Sequence, residues 1–467
     1  MSNPIVVVNV SVSNAPLPSN LQQTGAVISQ GQTTLAANAR SLITQPSDLT
    51  PLLAAPLAVS AISWSGGVVT VTTTAPLPTW LTDGGAFGVE FVTTLLGFTP
   101  TGYNGQVRAT STGASAFTFP LAVNPGAETG LGTYTITDEL VAAVNTFFAQ
   151  GQSQSVYVLE LGSVSVAAQI AALETYITNN PGFFYAYLVP KQWDGSTSGE
   201  TALLGLIALF ESTTAKTYFF ITTKTGTYTN YTPQMKDVIT LIEAPAALPT
   251  EFSIAALFWK ALSYRPSGTN RVTPFAFSFV FGVTPYPTQG NGPLLATLKA
   301  ASVNYIGTGA EGGLTNTIVF WGTTMDGKDF TYWFSVDWLQ INLDLNLSNE
   351  IINGSNNAIN PLYYNQAGIN RLQSVAAATI QEAITDGMVT GTLVQTELDP
   401  TTFLQQLDTG AFAGEDVVNA IPFLTYTLAN PSDYNIGKYA GLSAVAIISR
   451  GFIQIIFNLD VTTFLSQ

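Results

Sequence analysis

The stretch that decides the fold class is VYVLELGSVSVAAQIAALETYITNNPGFFYAYLV, residues 156–189. It opens with a short β-branched run at 156–161, which is typical of a buried strand. Across 164–179 the apolar residues recur at helical spacing until an Asn-Pro pair ends the pattern. The run at 183–189 is apolar throughout and indicates a second buried strand. This order predicts a parallel strand pair with a crossover helix on the sheet face.

The alternation continues on both sides of this stretch. A helix is predicted at 138–148, with Asp138 as its N-terminal cap and Gly151 just past its end. A helix at 201–211 and a strand at 217–223 extend the series and predict an α/β domain. The other predicted helices are at 48–53, 252–264, 294–301 and 366–386. The other predicted strands are at 24–29, 274–283, 303–306, 317–321, 389–399 and 420–428.

Asp326 and Gly327 form the strongest short-range hairpin signal in the chain. They separate the predicted strand at 317–321 from an apolar run at 330–336. We therefore predict a β-hairpin with its turn at this Asp-Gly pair.

Residues 339–347, directly after this hairpin, leave two alternatives open. Leu or Ile alternates there with Gln, Asn and Asp, which predicts a strand. Trp338, Ile341 and Leu345 also have the spacing of a helix capped by Asp337, so periodicity alone does not choose between the two.

Residues 58–133 have a different sequence pattern from the α/β part. Thr and Val alternate at 68–74, and the turn dipeptides Gly66-Gly67, Asp83-Gly84 and Asn104-Gly105 separate short apolar runs. Short strands at this spacing predict a small all-β module of about 75 residues.

The last residues of the chain, 450–467, read RGFIQIIFNLDVTTFLSQ and have the two-residue period of a half-buried strand. Such a strand must pair with a sheet in its own subunit or in a neighbouring one, because its backbone groups need partners. We predict intersubunit contacts for its apolar side chains, Phe452, Ile453, Ile455, Phe457, Leu459 and Val461.

The first residues form a second strand-like arm, which ends at Pro16 and Pro18. Its predicted intersubunit contacts are Ile5, Val6, Val8, Val10 and Val12. Proline stiffens a connector and glycine loosens one. We predict hinges at Pro16, Pro18, Gly437, Gly441 and Gly451.

The composition indicates a subunit of a larger assembly. Of the 467 residues, 46% are hydrophobic and only 9% are charged, against about 25% charged in an average soluble domain. In a polymer of identical copies, low charge reduces the repulsion between neighbours. The alternative is an ordinary β-rich surface full of Thr, Ser, Asn and Gly.

Charge and residue types also exclude several functions. The net charge is −15 and only 14 residues are Lys or Arg, so nucleic-acid binding is not expected. The chain has no Cys and no His, the usual nucleophiles, bases and transition-metal ligands. We therefore expect no catalytic residues, no metal and no cofactor. MSNPIVVVNV lacks the features of a secretion signal, and Arg450 interrupts the most apolar region, so we expect no membrane insertion.

Two weak motifs need a decision. Gly307, Gly309 and Gly312 match G-x-G-x-x-G, but a strand rather than a helix is predicted after them, so we interpret them as a loop. Paired carboxylates at Asp326 and Asp329 or at Asp337 and Asp344 would suit a glycosidase, although turn and helix-cap roles explain three of the four. Four aromatic residues could stack on sugars or belong to small cores: Trp64, Trp80, Tyr103 and Trp193.

Three segments together resemble the contractile tail sheath proteins of myovirus-type bacteriophages. They are IVVVNVSVSNAPLPSNLQQTGAVIS (5–29), FWGTTMDGKDFTYWFSVDWLQINLDL (320–345) and RGFIQIIFNLDVTTF (450–464). The sequences GGVVTVTTTAP and TGYNGQVRATSTG also look like small β-modules inserted in phage structural proteins. The resemblance spans nearly the whole chain and lies in the order of the segments, because none of them is catalytic.

The resemblance implies a mixed fold of the α+β or α/β class. A sheath-type α/β domain would be built from both chain ends, at 21–57 and 134–445. An all-β domain at 58–133 would be inserted in it and project outward, and strand arms would lie at 1–20 and 446–467. In the family, 320–345 corresponds to a strand that leads into a helix, which favours the helix after Asp337.

The resemblance further implies a structural subunit, not an enzyme, that polymerises around a tail tube in a virion tail assembled in the bacterial host cytoplasm. Both arms would add strands to neighbouring subunits, and helices of the α/β domain would face the tube. Its partners would be copies of itself, the tail tube protein, and baseplate and tail terminator proteins. The alternative function is a β-rich virion adhesin or a carbohydrate-binding or carbohydrate-hydrolysing tail protein.

Overall fold

A computed structural model describes residues 21–211, 216–231, 235–288, 290–308 and 315–452. The strands are β1 (Gly25–Ser29), β2 (Arg40–Ile43), β3 (Leu57–Ser65), β4 (Val68–Thr73), β5 (Glu90–Leu96), β6 (Gly105–Gly113), β7 (Ala116–Pro120), β8 (Thr133–Tyr134), β9 (Val156–Glu160), β10 (Ala186–Leu188), β11 (Tyr218–Thr223), β12 (Val238–Ile242), β13 (Asn304–Thr308), β14 (Thr317–Phe320), β15 (Thr392–Thr396), β16 (Glu415–Ala420) and β17 (Leu442–Val445). The helices are α1 (Thr79–Thr82), α2 (Asp138–Ala149), α3 (Val166–Asn179), α4 (Glu200–Glu211), α5 (Ile254–Leu262), α6 (Gly292–Ala300), α7 (Phe330–Asn356), α8 (Gln366–Thr385), α9 (Pro400–Asp408), α10 (Phe423–Ala429) and α11 (Pro431–Asn435).

The main sheet has the strand order β14-β13-β12-β11-β10-β1-β9-β2 within the described residues. All pairs from β13 to β9 are parallel, and the outer strands β14 and β2 pair antiparallel. This confirms the parallel sheet with crossover helices that the sequence predicts. The strands on either side of α3, β9 and β10, do not pair directly, because β1 lies between them. The central strands are buried on both faces, which is why they are apolar throughout rather than alternating.

Helices cover both faces of the main sheet. On one face, α3 and α4 pack in a core that continues into the segment formed by β3 to β8. On the other face, α2, α5, α7 and α8 form a second core around residues such as Phe147, Phe258 and Phe330. The mixed α/β fold class is therefore confirmed.

Strands β3 to β8 close into a barrel in the order β3-β4-β7-β6-β5-β8. Its interior holds alternate side chains such as Val69 and Val71 of β4 and Phe117 and Phe119 of β7. That alternation produces the Thr-Val pattern of the sequence. The interpretation of 58–133 as an inserted, outward-projecting domain stays a prediction.

A smaller sheet lies near the C-terminus of the described chain. Strand β16 pairs parallel with β15 and antiparallel with β17. Helix α8 packs on it, and the Gln373 amide donates hydrogen bonds to the carbonyls of Val418 at 3.0 Å and Thr396 at 2.8 Å. Both β15 and β17 form open edges of this sheet among the described residues.

The predicted hairpin is wrong in its second half. The turn at Gly327 exists, with a positive φ of 80°, but the chain continues into α7 rather than into a strand at 330–336. Phe330 and Phe334, four residues apart, both face the core. The aromatic composition of this run favours a strand locally, and packing on the sheet overrides that preference. The resemblance correctly favours a helix after Asp337, although Asp337 lies inside α7 and does not cap it.

Two more predicted strands are wrong. Residues 274–283 form only a short irregular pairing with β14, because positive φ angles at Phe277 and Gly282 interrupt a regular ladder. At 420–428, β16 ends at Ala420 and α10 begins directly after Pro422, whose fixed φ suits a helix start.

Candidate assembly surfaces

The whole predicted N-terminal contact set precedes the described residues. Ile5, Val6, Val8, Val10, Val12, Pro16 and Pro18 lie outside the described residues. The described chain begins at Leu21, which packs on the core beneath α5 and α7. The Gln22 amide donates a hydrogen bond of 2.9 Å to the carbonyl of Phe334 in α7. The root of the N-terminal arm is therefore attached to the second turn of α7.

The root of the C-terminal arm is attached to the same helix. Ile453, Ile455, Phe457, Leu459 and Val461 lie outside the described residues, whereas Phe452 is described and 77% exposed. The Arg450 guanidinium lies 4.8 Å from the centre of the Tyr332 ring, in the first turn of α7. The described residues next to both arms thus contact the first two turns of α7.

Arg450 is the last member of an alternating row of cations and aromatic rings. Lys236 lies 5.2 Å from the Trp333 ring centre, Lys328 lies 4.4 Å from Trp333 and 5.0 Å from Tyr332, and Arg450 follows on Tyr332. Each cation–ring contact stabilises by about 0.5–1 kcal/mol at a partly exposed site. We call Lys236, Trp333, Lys328, Tyr332 and Arg450 the cation–aromatic row. It holds the root of the C-terminal arm against α7.

Two of the three predicted glycine hinges, Gly441 and Gly451, are closely packed. A Cβ at Gly451 would overlap the Pro274 side chain, and a Cβ at Gly441 would come within 2.7 Å of the Tyr439 ring. Gly437 follows α11 with a φ of +72°, a conformation that glycine adopts without strain. Close approach and backbone conformation explain these glycines in a static subunit, and their role as hinges stays a prediction.

The carboxylates that the sequence offers as a glycosidase pair have separate structural roles. Asp329 caps α7, because its Oδ1 accepts from the Thr331 amide at 2.8 Å and the Thr331 hydroxyl at 2.6 Å. Asp326 accepts a hydrogen bond of 2.9 Å from the Trp333 indole. Asp344 is exposed on α7. A helix cap, a turn and an exposed helix position therefore account for these three carboxylates.

Asp337 is buried between α7 and the main sheet. Its Oδ2 accepts hydrogen bonds of 2.9 Å from the hydroxyls of both Tyr185 and Tyr218. Burial raises the pKa of Asp337, and the two tyrosine hydroxyls oppose that shift. The arrangement fixes α7, and with it the roots of both arms, on the sheet.

The proposed sugar-stacking aromatics belong to cores. Trp80, Tyr103 and Trp193 are almost fully buried, and the indole of the partly buried Trp64 donates 2.8 Å to the Leu121 carbonyl. Gly307 lies in β13, while Gly309 and Gly312 lie outside the described residues. Strand β14 follows, so no helix opens after these glycines to receive a phosphate.

A cavity of about 480 Å³ lies at the carboxyl ends of β10, β11 and β12, beside the barrel. An ion pair of 2.7 Å between Lys191 and Glu243 lines it, together with Glu139, whose pKa is raised by burial. The buried hydroxyl of Thr222 has no hydrogen-bond partner among the described residues. Cations and carboxylates alternate around the cavity and favour no single ligand class.

The sequence missed the residues that join the barrel to the α/β part. Asp138 does not cap α2, since Thr137 occupies the cap position. The Asp138 carboxylate instead accepts a hydrogen bond of 2.6 Å from the Thr94 hydroxyl of β5. Asp83 accepts hydrogen bonds from the Ser196 hydroxyl at 2.7 Å and the Thr197 amide at 2.6 Å. A short acidic residue beside a turn or helix start is the only signal in the sequence for either contact.

No helix in the described part of the chain combines the length and the apolar character needed to span a bilayer. No protein-family model and no curated protein sequence matches the chain.

Solved structures show the fold over almost the whole chain. A chain in the cryo-EM structure of the anti-feeding prophage (AFP) baseplate is 14% identical, with a TM-score of 0.55. The match covers 99% of this chain and 100% of that chain. The AFP helical sheath in its contracted state is 12% identical, with a TM-score of 0.52, and the match covers 98% and 99% of the two chains. The described part of the protein therefore has the fold of these two chains.

Proposed function

We propose that this protein is the structural subunit of a contractile phage tail sheath. The observation that supports this proposal most is the end-to-end match to a chain of a contracted helical sheath, which covers 98% of this chain and 99% of that one. The low charged fraction of 9% suits a subunit whose surface lies largely in contacts with its own copies.

In this proposal both arms bind neighbouring subunits by strand addition. An added strand gains affinity from main-chain hydrogen bonds and specificity from alternate side-chain pockets. The open edges of β15 and β17 are candidate acceptors. Because Gln22 and Arg450, next to the two arms, both contact the start of α7, a rotation of the subunit would carry the roots of both arms with it.

The sheath would polymerise around the tail tube and contract by rigid-body rearrangement of its subunits, driving the tube through the host envelope. Its partners are its own copies, the tail tube protein, and baseplate and terminator proteins in the virion tail. The free energy would come from better contacts between subunits in the contracted state, without nucleotide hydrolysis. The fixed alternation of apolar residues in the arms suits a mesh that persists through such a change.

Negative-stain electron microscopy of the purified full-length protein tests this function. We expect hollow cylinders of contracted sheath from the full chain, and soluble subunits that do not polymerise after deletion from Gly451 onward. Cylinders of undiminished order from the truncated chain would contradict the role of the C-terminal arm. A full-length chain that stays monomeric at all concentrations, and binds a glycan array instead, would favour the adhesin.

A matched pair of variants tests the apolar face of the arm without changing the length of the arm. Ile453→Ser with Ile455→Ser removes two apolar side chains, whereas Gln454→Ser with Asn458→Ser alters only the polar face. We expect the first pair to prevent polymerisation and the second to leave it unchanged. Burial of each Ile stabilises the contact by about 1.5–3 kcal/mol before the cost of ordering.

A further inference from the structure

Three phenylalanines form an exposed row on one edge of the subunit. Phe277, Phe279 and Phe281 alternate with Ser278 and Val280, and their side chains are 40%, 62% and 58% exposed. Isolated exposed apolar residues are ordinary, but a contiguous aromatic row marks a contact surface. We call residues 277–281 the phenylalanine row.

The backbone of the phenylalanine row presents an open strand edge at Phe279. On its inner side, the row is joined to β14 by two hydrogen bonds of 3.0 Å. The Val280 amide donates one to the Thr317 carbonyl, and the Val319 amide donates the other to the Ser278 carbonyl. These bonds flank the pairing of Phe279 with Ile318 in β14. In an antiparallel pair, a residue between two bonded neighbours turns its own N–H and C=O away from the partner. Those two groups of Phe279 have no backbone partner among the described residues.

The row is also held rigid. The Gln150 side-chain amide donates a hydrogen bond of 2.7 Å to the Phe281 carbonyl and accepts one of 2.9 Å from the Phe281 N–H. The Phe277 amide donates 2.8 Å to the Val319 carbonyl. Aromatic side chains on a preorganised backbone lose little entropy when a partner covers them.

The described chain ends beside this row. Gly451 packs so closely on Pro274 that a Cβ there would overlap its ring, and Pro274 precedes the row by three residues. The 15 residues beyond Phe452 span up to about 50 Å when extended, whereas the row needs only about 13 Å. Their apolar residues at 453, 455 and 457 repeat with the period of the row.

We propose that, before assembly, the C-terminal arm lies as an added strand on the phenylalanine row of its own subunit. The arm covers the exposed rings, and its backbone pairs with the open groups of Phe279. This contact in cis protects two apolar surfaces and delays polymerisation until a neighbouring subunit offers a better edge. The inference rests on the proposed function in treating these residues as an assembly arm.

Disulfide trapping in the unassembled subunit tests the proposal. The natural chain has no cysteine, so introduced pairs have no competing thiols. Phe279→Cys is combined with Ile455→Cys, or in a second variant with Phe457→Cys, and each protein is oxidised at low concentration. We expect an intrachain disulfide in at least one variant, identified as a linked peptide by mass spectrometry. Absence of an intrachain disulfide in both, or interchain disulfides only, would overturn the proposal.

A control pairs Ile455→Cys with Val123→Cys, which is 75% exposed on the barrel. A strand added to the phenylalanine row holds position 455 beside that row, so this pair should stay reduced. Its oxidation to a similar extent would also overturn the proposal, because the arm would then contact surfaces indiscriminately.

A second measurement uses the kinetics of assembly. Phe279→Ser should release the arm and shorten the lag before cylinders appear, by severalfold. A lag that is unchanged or longer would contradict a resting contact in cis. The disulfide result needs no polymer, so a chain that traps the arm but never forms cylinders would contradict the proposed function and leave this inference standing.

Discussion

Asp337 shows how one buried side chain holds the helix to which Gln22 and Arg450, next to the two arms, are attached. It connects α7 to β10 and β11 through the hydroxyls of Tyr185 and Tyr218, each at 2.9 Å. All three side chains are almost completely buried. A buried polar group without a partner costs about 1–3 kcal/mol, so the stability of this cluster depends on every member.

Replacement of Asp337 should therefore depend on what replaces it. Asp337→Leu leaves two tyrosine hydroxyls without an acceptor, and we expect the free energy of unfolding to fall by about 1–3 kcal/mol for each hydroxyl. Asp337→Asn keeps an acceptor oxygen and should lose less than half as much. Urea denaturation of the unassembled subunit measures both. Equal losses for Leu and Asn would show that the hydroxyl contacts do not stabilise α7.

Asp237 gives the subunit a pH-dependent stability. Burial raises its pKa to about 8, and its Oδ2 has no hydrogen-bond partner among the described residues. In the unfolded chain an aspartate has a pKa of about 3.9. Between these two values the folded state holds a proton that the unfolded state has lost. The stabilisation is therefore complete below about pH 4 and is lost as the pH rises to about 8.

We expect the free energy of unfolding to decrease by up to about 1.4 kcal/mol per pH unit between pH 5 and 8 through this one group. Asp237→Asn carries no ionisable group there and should flatten the slope. Denaturation midpoints at several pH values compare the two proteins. An unchanged slope in the variant would mean that other buried acids carry the dependence.

Helix α7 is the element for which the sequence-based prediction differs most from the structure, since a strand is predicted at 330–336. Its first residues, FTYWFSV, have the aromatic and β-branched composition of a strand, and the Asp-Gly turn before them strengthens that impression. The local sequence nevertheless contains a helix-start signal, because the Asp329 side chain caps α7. Its packing against the sheet and the attachment of both arms depend on residues more than 100 positions away, which no local pattern contains.

The cation–aromatic row should protect the root of the C-terminal arm from proteolysis. Trypsin cleaves after Arg450, and Tyr332→Leu removes the ring beneath that guanidinium. A loss of about 0.5–1 kcal/mol raises the open population, and so the cleavage rate at Arg450, by about 2–5-fold. Mass spectrometry of early digests measures this rate.

Tyr434→Leu is the matched control, because Tyr434 is also partly exposed but packs on Tyr364 rather than on the row. Its cleavage rate at Arg450 should equal that of the natural protein. Equal rates in the natural protein and Tyr332→Leu would mean that Arg450 is held by other contacts.

Among the other elements, the predictable ones share a property. Strands β9 to β11 and helices α2 to α4 each bury a complete local pattern, so their period appears in the sequence. The edges are less regular. β2 is a short antiparallel edge strand with exposed residues, and the prediction missed it. The open edges near β14 and β17 are also those that would accept other strands, so the proposed binding surfaces lie where sequence patterns are weakest.

At the scale of the whole molecule, the barrel is attached at one place in the chain. Leu57 of β3 pairs with Tyr134 of β8, so the chain enters and leaves the barrel through neighbouring residues. Cross-strand Cα atoms in such a pair lie about 4.5–5.5 Å apart, a gap that two or three residues close. Such a connection is what an inserted domain requires, and it could not be read from the strand pattern alone.

Excision of the barrel tests whether it is an independent insertion. We expect a chain with a Gly-Ser-Gly linker in place of residues 58–133 to fold, with a lower midpoint of thermal denaturation. The loss has a physical source, because Asp83 and Asp138 no longer connect the two parts and apolar surface beside α3 and α4 becomes exposed. The Asp83→Ala variant, which keeps the barrel and removes one connection, serves as the control and should lose much less.

If the barrel is an outward decoration, the excised chain should still form cylinders in negative stain. A folded excised subunit that no longer polymerises would instead place the barrel in the subunit interface, and an unfolded one would show that the two cores form a single cooperative unit.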